Sequence, residues 1–257
     1  MTSAVWGTAT GDGAGRAAAS RRGTLVTRCT GRPLVLMYHG VGRVSVDPFG
    51  LFVTPERFER QLAGLARLGL RGVSLGELGD ALGAGQAAGL VALTFDDGYR
   101  QVLHHALPVL GRYGFTATVF AVAGILGGTN SWDPPPRHAL MSADDLREVA
   151  GRGHEVGSHG ISHVPLAGAD RELLAAEVAG SRDRFEELVG VVPRSFCYPY
   201  GSVDAAAARA VDEAGYAYAC AVWRVAVLPS RLAMPRIGVT PRDHSPRLVA
   251  KLFVKGR

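Results

Sequence analysis

Asp96 and Asp97 stand side by side at the end of an apolar run, residues 90–95, and His159 and His163 lie four apart just after a shorter run, residues 155–157. Carboxylates and imidazoles grouped in this way can bind a divalent metal or move protons. Adjacent residues of a strand point to opposite faces, so both acids reach one cavity only if a turn begins near Gly98. One acid can then hold a metal while the other works on protons. Imidazoles at i and i+4 share one face of a helical turn, and a tight loop can bring the same pair onto one ion. Plainer readings compete, because Asp-Asp-Gly also ends strands and caps helices, and a single histidine more often serves as a structural hydrogen-bonding residue. His104, His105, His138 and His154 fall on helical or loop stretches and read as surface or packing residues. Cys29, Cys197 and Cys220 show no Cys-x-x-Cys spacing, which argues against a disulfide framework and against a thiolate zinc site. Cys197 occupies a strand position and reads as an inert buried thiol rather than a nucleophile.

The elements that must position these groups alternate in type. Residues 33–39 (PLVLMYH), 71–74, 90–95, 116–122, 155–157, 195–198 and 218–222 read as strands, being short, apolar or β-branched. Thr54-Pro55-Glu56 opens a helix with Thr54 as N-cap, and Phe58, Leu62, Leu65 and Leu68 recur at helical spacing until Gly69. Further helices are expected at 75–82, at 102–113 despite Pro108, at 142–151 with Ser142 as cap, at 171–189 as one long amphipathic helix, and at 204–214. This cadence predicts parallel βαβ units with their chemistry at the carboxyl ends of the strands, which is where the polar clusters fall. A barrel of seven or eight βα units fits better than an open doubly wound sheet, since no glycine-rich phosphate loop follows any strand. The connection at 124–140 is long, and Trp132 and Asp133 within it read as shaping a site, with the indole either facing a sugar ring or packing the loop.

A chain of 257 residues with 47% hydrophobic residues can bury one substantial core. Residues 1–32 are dominated by Ala, Gly, Thr and Arg and are expected to form a disordered tail, leaving 33–257 as one catalytic domain. The net charge of +5 comes from scattered arginines without the interleaved aromatics of a nucleic-acid surface, so no nucleic-acid partner is expected. No stretch reaches the roughly 18 apolar residues of a membrane span, and the start lacks the apolar core of a secretory signal. A cytoplasmic location is the default expectation, with an extracellular or cell-envelope location if translation starts elsewhere.

Three ordered segments, Thr94-Phe95-Asp96-Asp97-Gly98, His159-Gly160-Ile161-Ser162-His163 and Phe196-Cys197-Tyr198-Pro199-Tyr200-Gly201, resemble the three motifs of the polysaccharide deacetylases, also called the NodB-homology family or carbohydrate esterase family 4. The likeness runs from about Pro33 to Val239. It implies an α/β fold, a distorted (β/α) barrel of seven or eight units, and hydrolytic N-deacetylation of an N-acetylhexosamine polysaccharide, oligosaccharide or glycoconjugate. Carried over residue by residue, it implies that Asp97, His159 and His163 hold a divalent metal, that Asp96 is the general base, and that the Tyr200 backbone amide faces the oxyanion. Two histidines and a carboxylate leave positions open for water and a carbonyl oxygen, and they suit Zn2+, with Co2+ or Ni2+ as alternatives. The start Leu36-Met37-Tyr38-His39-Gly40-Val41 resembles a branch that includes poly-N-acetylglucosamine deacetylases, where the motif order is permuted and the general acid comes early. His39 is therefore the candidate acid, ahead of His244. Two positions depart from the family pattern: Cys197 stands where an arginine often orients the base, a role open to Arg236, and Gly160 stands where a hydroxyl residue is usual. Deacylation of another ester or amide, and a catalytically silent carbohydrate-binding barrel, are the competing readings. A carbohydrate substrate is the expected partner, and the oligomeric state is left open.

Overall fold

Strands whose every side chain is apolar must be covered on both faces, and a parallel sheet wrapped in helices is the arrangement that covers them. The computed structural model describes residues 21–27, 32–222 and 230–255; Cys29 lies outside them. The first units are β1 (Val35–Tyr38), a small pair β2 (Gly40–Val41) and β3 (Phe52–Val53), α1 (Pro55–Arg67), β4 (Arg71–Val73), α2 (Leu75–Gly83) and β5 (Leu90–Phe95). Next come α3 (Leu107–Tyr113), β6 (Thr118–Ala121), α4 (Ala143–Gly151), β7 (Glu155–Ser158), α5 (Arg171–Leu174) and α6 (Gly180–Val189). The chain finishes with β8 (Ser195–Cys197), α7 (Ala205–Glu213), β9 (Tyr218–Ala221), β10 (Met234–Pro235), β11 (Ile237–Gly238) and α8 (Ser245–Lys255).

Local chemistry sets the helix starts. Thr54, Ser74, Ser142 and Asp204 each accept a backbone N–H from the first turn of the helix they precede, and Ser142 forms a reciprocal box with Asp145. The expected helix at 102–113 opens as a π-helical turn, Val102–Ala106, that runs directly into α3, with Pro108 at the second position of α3. The expected helix at 171–189 runs unbroken, with a π-helical turn, Ala175–Ala179, joining α5 to α6. Residues 21–27, inside the stretch expected as a tail, are helical, with Val26 buried in the main core cluster and the Thr27 hydroxyl accepting the Gly89 N–H at 3.1 Å. Among the described residues no helix is long and apolar enough to cross a membrane.

The main sheet has nine strands, all pairings parallel, in the order β10-β9-β8-β7-β6-β5-β1-β11, with β4 beside the first half of β5. Its two ends are one piece of chain. Met234 and Pro235 pair with Cys220 and Ala221 of β9, while Ile237 and Gly238 pair with Leu36 and Met37 of β1. Only Arg236 separates the two pairings, so the segment draws the sheet into a nearly closed, distorted (β/α) barrel. β5 is buried at all six positions, and its Leu93 and Phe95 share the main core cluster with Leu36 and Tyr38 of β1 and Val119 of β6.

Arg236, at the closure, is 6% exposed and binds both carboxylate oxygens of Asp96, at 2.6 and 2.8 Å. Its remaining N–H groups reach the Thr94 hydroxyl (3.2 Å), the Cys197 sulfur (3.1 Å) and the Ala221 carbonyl (3.4 Å). A guanidinium has five N–H donors, and each is matched. Removing one partner of such a pair strands the other as a buried charge, so Arg236→Ala is expected to lose about 3–5 kcal/mol of stability. Urea unfolding monitored by circular dichroism measures this; an unchanged midpoint would mean that water reaches Asp96.

Candidate active site

The carboxyl ends of β1, β5, β7 and β8 and the closing segment meet around a cleft of about 360 Å³. His39, Asp96, Asp97, His159, His163, Tyr200 and Arg236 all line it. His244 is not among the lining residues: it precedes α8, where its Nδ1 accepts the Arg247 N–H at 3.3 Å and its carbonyl accepts the Leu248 N–H.

Backbone strain concentrates at this cleft. Among the described residues the non-glycines with positive φ are Asp97 (69°), His163 (58°) and Tyr200 (58°). A left-handed conformation costs an L-residue roughly 1–2 kcal/mol and persists where packing enforces it. At Asp97 the reason is visible. Asp96 still belongs to the ladder, its N–H bonded to the Tyr38 carbonyl at 2.9 Å, and the turn begins at Asp97 itself, one residue before Gly98. That reversal turns two carboxylates that would otherwise diverge into one cavity. Gly98 follows at φ 74°, where a Cβ would stand 3.0 Å from that of Ala121. His159 extends the ladder of β7, its N–H bonded to the Ala121 carbonyl at 2.9 Å, and Tyr200 lies in a 3-10 turn, Pro199–Gly201, after β8.

The histidines and Asp97 converge on one point. His159 Nδ1 is 2.7 Å from the Cys197 carbonyl, which can only accept, so this nitrogen carries a proton, and Nε2 is left as the atom that can offer a lone pair to a cation. Without a cation, burial is outweighed by Cys197 and the Asp97 hydrogen bond, which hold the imidazole pKa well above its usual range. Nε2 in turn lies 3.4 Å from Asp97 Oδ1, which is also an acceptor. Two facing acceptors require a proton or a cation between them. His163 Nε2 is 3.2 Å from the same oxygen, and the three side chains are 2–6% exposed. Their ligand atoms lie within 4.8 Å of one another, and the donor set suits a zinc-type divalent ion. Burial works against charge on Asp97, but hydrogen bonds with His159 and His163 hold its carboxyl well below the usual range. Burial opposes the Asp96 charge as well, and the Arg236 and His159 charges outweigh it to keep that carboxyl lowered. Burial pulls the His163 imidazole down, towards the neutral form that ligates metals.

Trp132 stacks on His163 with ring centres 4.1 Å apart at 23°, so one indole face is already covered by the imidazole. Tyr200, 56% exposed, meets the same imidazole edge-on at 4.6 Å. Burial pushes the Cys197 thiol well up, away from thiolate chemistry. Its backbone carbonyl instead orients His159, a role that leaves no trace in sequence because every residue has a carbonyl. Phe49 also lines the cleft, from the loop between β2 and β3, and is 56% exposed. The signal for it is Asp47, whose carboxylate accepts the Leu51 and Phe52 N–H groups at 2.8 and 3.0 Å and so shapes that loop. His138 packs between Phe52 and Tyr99, and His104 and His105 are exposed.

Comparison with known proteins identifies the family. The family model described as polysaccharide deacetylase matches residues 84–219, more than half of the chain. YxkH of Bacillus subtilis (strain 168) is 27% identical over 184 residues, covering 71% of this chain and 61% of that protein. A chitin deacetylase of Colletotrichum lindemuthianum is 31% identical over 131 residues, covering 50% of this chain and 48% of that one. The chain thus spans less than two thirds of the length of these relatives. Among solved structures, IcaB from Ammonifex degensii superposes with a TM-score of 0.73 at 25% identity, covering 87% of this chain and 97% of that one. The Streptococcus pyogenes deacetylase PplD, solved with acetate, superposes at 0.75 with 21% identity over 86% and 98% of the two chains, a likeness of fold. The ordered motifs, the nearly closed parallel barrel and the matched family model together place this chain in the polysaccharide deacetylase family, with a domain of the NodB type.

Proposed function

We propose that this protein is a metal-dependent hydrolase that removes the N-acetyl group from an N-acetylhexosamine unit of a polysaccharide, oligosaccharide or glycoconjugate. The observation that carries the reading is the convergence of Asp97, His159 and His163 on one buried point beside an Asp96 that Arg236 clamps in place. Membership of the family and the likeness to a chitin deacetylase support the substrate class.

In this reading Asp97, His159 and His163 hold the cation, and Zn2+, Co2+ and Ni2+ all suit that donor set. When bound, such an ion supplies Lewis acidity, polarising an acyl carbonyl and making water a stronger acid. Asp96 accepts the proton of the attacking water. The bidentate Arg236 fixes its plane and keeps it ionised, and it also makes Asp96 a weak base, which fits a site that carries a Lewis acid as well. The Tyr200 N–H, in its strained turn, donates to the oxygen on which negative charge develops. An amide nitrogen leaves only when protonated, and His39, at the end of β1 on the same cleft, gives that proton.

Acetate release from N-acetylglucosamine oligomers tests this directly. Protein reconstituted with Zn2+ or Co2+ is expected to release acetate, and Asp96→Asn and His159→Ala to abolish it; no release by the metal-loaded protein would sink the substrate assignment. The acid is tested separately. His39→Ala is expected to lower kcat by roughly 10²–10⁴-fold while leaving Co2+ uptake intact, and His244→Ala to leave kcat unchanged. The opposite pattern would transfer the acid role to His244.

A further inference from the structure

The loop carrying His159 and His163 is held from outside the barrel by a residue that belongs to none of the three motifs. Glu177 is 3% exposed and lies in the π-helical turn between α5 and α6. Its Oε2 accepts the backbone N–H groups of Ile161 (2.8 Å) and Ser162 (3.1 Å), and its Oε1 accepts the Ser162 hydroxyl. Successive amides aimed at one oxygen form an anion-binding concavity. Here one of the protein's own side chains fills it. Gly160 makes room: at φ 80°, a Cβ there would stand 2.8 Å from Glu177 Oε2. The helix contributes through its irregularity, since a π turn inserts one extra residue and shifts which side chains face inward on either side of it. Leu174, Val178, Ser181 and Phe185 are buried along this helix, and Glu177 is the one acid of the helix buried among them.

We propose that Glu177 is a positioning residue for metal binding, its carboxylate fixing residues 160–162 so that His163 keeps its strained backbone and its Nε2 stays 3.2 Å from Asp97. This rests on the reading of Asp97, His159 and His163 as the metal-holding set. Glu155, at the other end of β7, offers an internal contrast. It too accepts three hydrogen bonds, here one from a backbone N–H and two from hydroxyls, of Gly76 (2.8 Å), Thr118 (2.7 Å) and Ser195 (2.5 Å), but it supports the end of the barrel away from the histidines.

The test is Co2+ titration of the metal-stripped full chain, followed by visible absorption, for the parent protein, Glu177→Gln, Ser162→Ala and Glu155→Gln, with thermal melts in parallel. Glu177→Gln is expected to raise the Co2+ Kd by about 10–100-fold and to change the ligand-field spectrum, since an amide cannot accept all three hydrogen bonds. Ser162→Ala should move Kd in the same direction by less. Glu155→Gln should lower Tm and leave Kd alone. A folded Glu177→Gln protein with parental Kd and spectrum overturns the proposal, as does an equal rise in Kd for Glu155→Gln, which would signal general loosening. If Glu177→Gln does not fold, an unshifted Kd in Ser162→Ala overturns it instead. A parent protein that takes up no Co2+ overturns the metal reading itself, whereas normal uptake insensitive to Glu177→Gln removes only the role of Glu177.

Discussion

The buried pair of Arg236 and Asp96 joins the closure of the barrel to its chemistry. A guanidinium can sit inside a protein only if its donors are met, and the acceptors here come from three different strands or their ends: Thr94 and Asp96 at β5, Cys197 on β8 and Ala221 on β9. The side chain thus ties the last strand segment to the interior of the sheet at the level where the cleft opens. Apolar residues of similar volume could stabilise such a core equally well, so stability alone is a weak reason to keep an ion pair there. Geometry is the stronger one: a bidentate contact fixes the plane of the Asp96 carboxylate, which a single hydrogen bond leaves free to rotate.

Around that fixed carboxylate, the other site residues occupy backbone conformations that they would not adopt in isolation. Asp97, His163 and Tyr200 are left-handed, and each lies just beyond a strand or a loop end that the barrel holds firmly. β5 and β7 supply ladder bonds up to Asp96 and His159, so the strained turns start from rigid points. The energy for holding them comes from burial elsewhere, chiefly the aromatic and aliphatic side chains packed between the strands and the outer helices. Such pre-positioning is what the proposed metal-holding set requires, since ligand atoms must already point to a common place.

The same division explains which parts of this protein are legible without coordinates. The strands at β1, β5, β6, β7, β8 and β9 and the helix starts at Thr54, Ser142 and Asp204 follow from short apolar runs and capping chemistry, each confined to a few neighbouring residues. The parallel barrel follows from the alternation of these elements. β2, β3, β10 and β11 do not, because two residues carry too little pattern to register as a strand, and their identity comes from the neighbours with which they pair. The two π-helical turns are likewise invisible, since their extra residue leaves a pattern that still reads as one amphipathic helix. The local trace of the second is an acid on the apolar side of that pattern, Glu177.

By itself the sequence determined the types and order of the groups able to do chemistry, and the motif spacing that makes Asp96, Asp97, His159 and His163 candidates. The tertiary structure decided who meets whom. Arg236 and Asp96 are 140 positions apart, and nothing in either local segment states that the chain closes between them. Nor could spacing show that the Cys197 carbonyl orients His159, that Trp132 covers His163, or that His39 shares the cleft while His244 caps a helix outside it. Capping and periodicity are short-range and repeat in every chain that uses them. Closure of the barrel depends on the packing of all its strands together, so its contacts exist only once the whole sheet has formed.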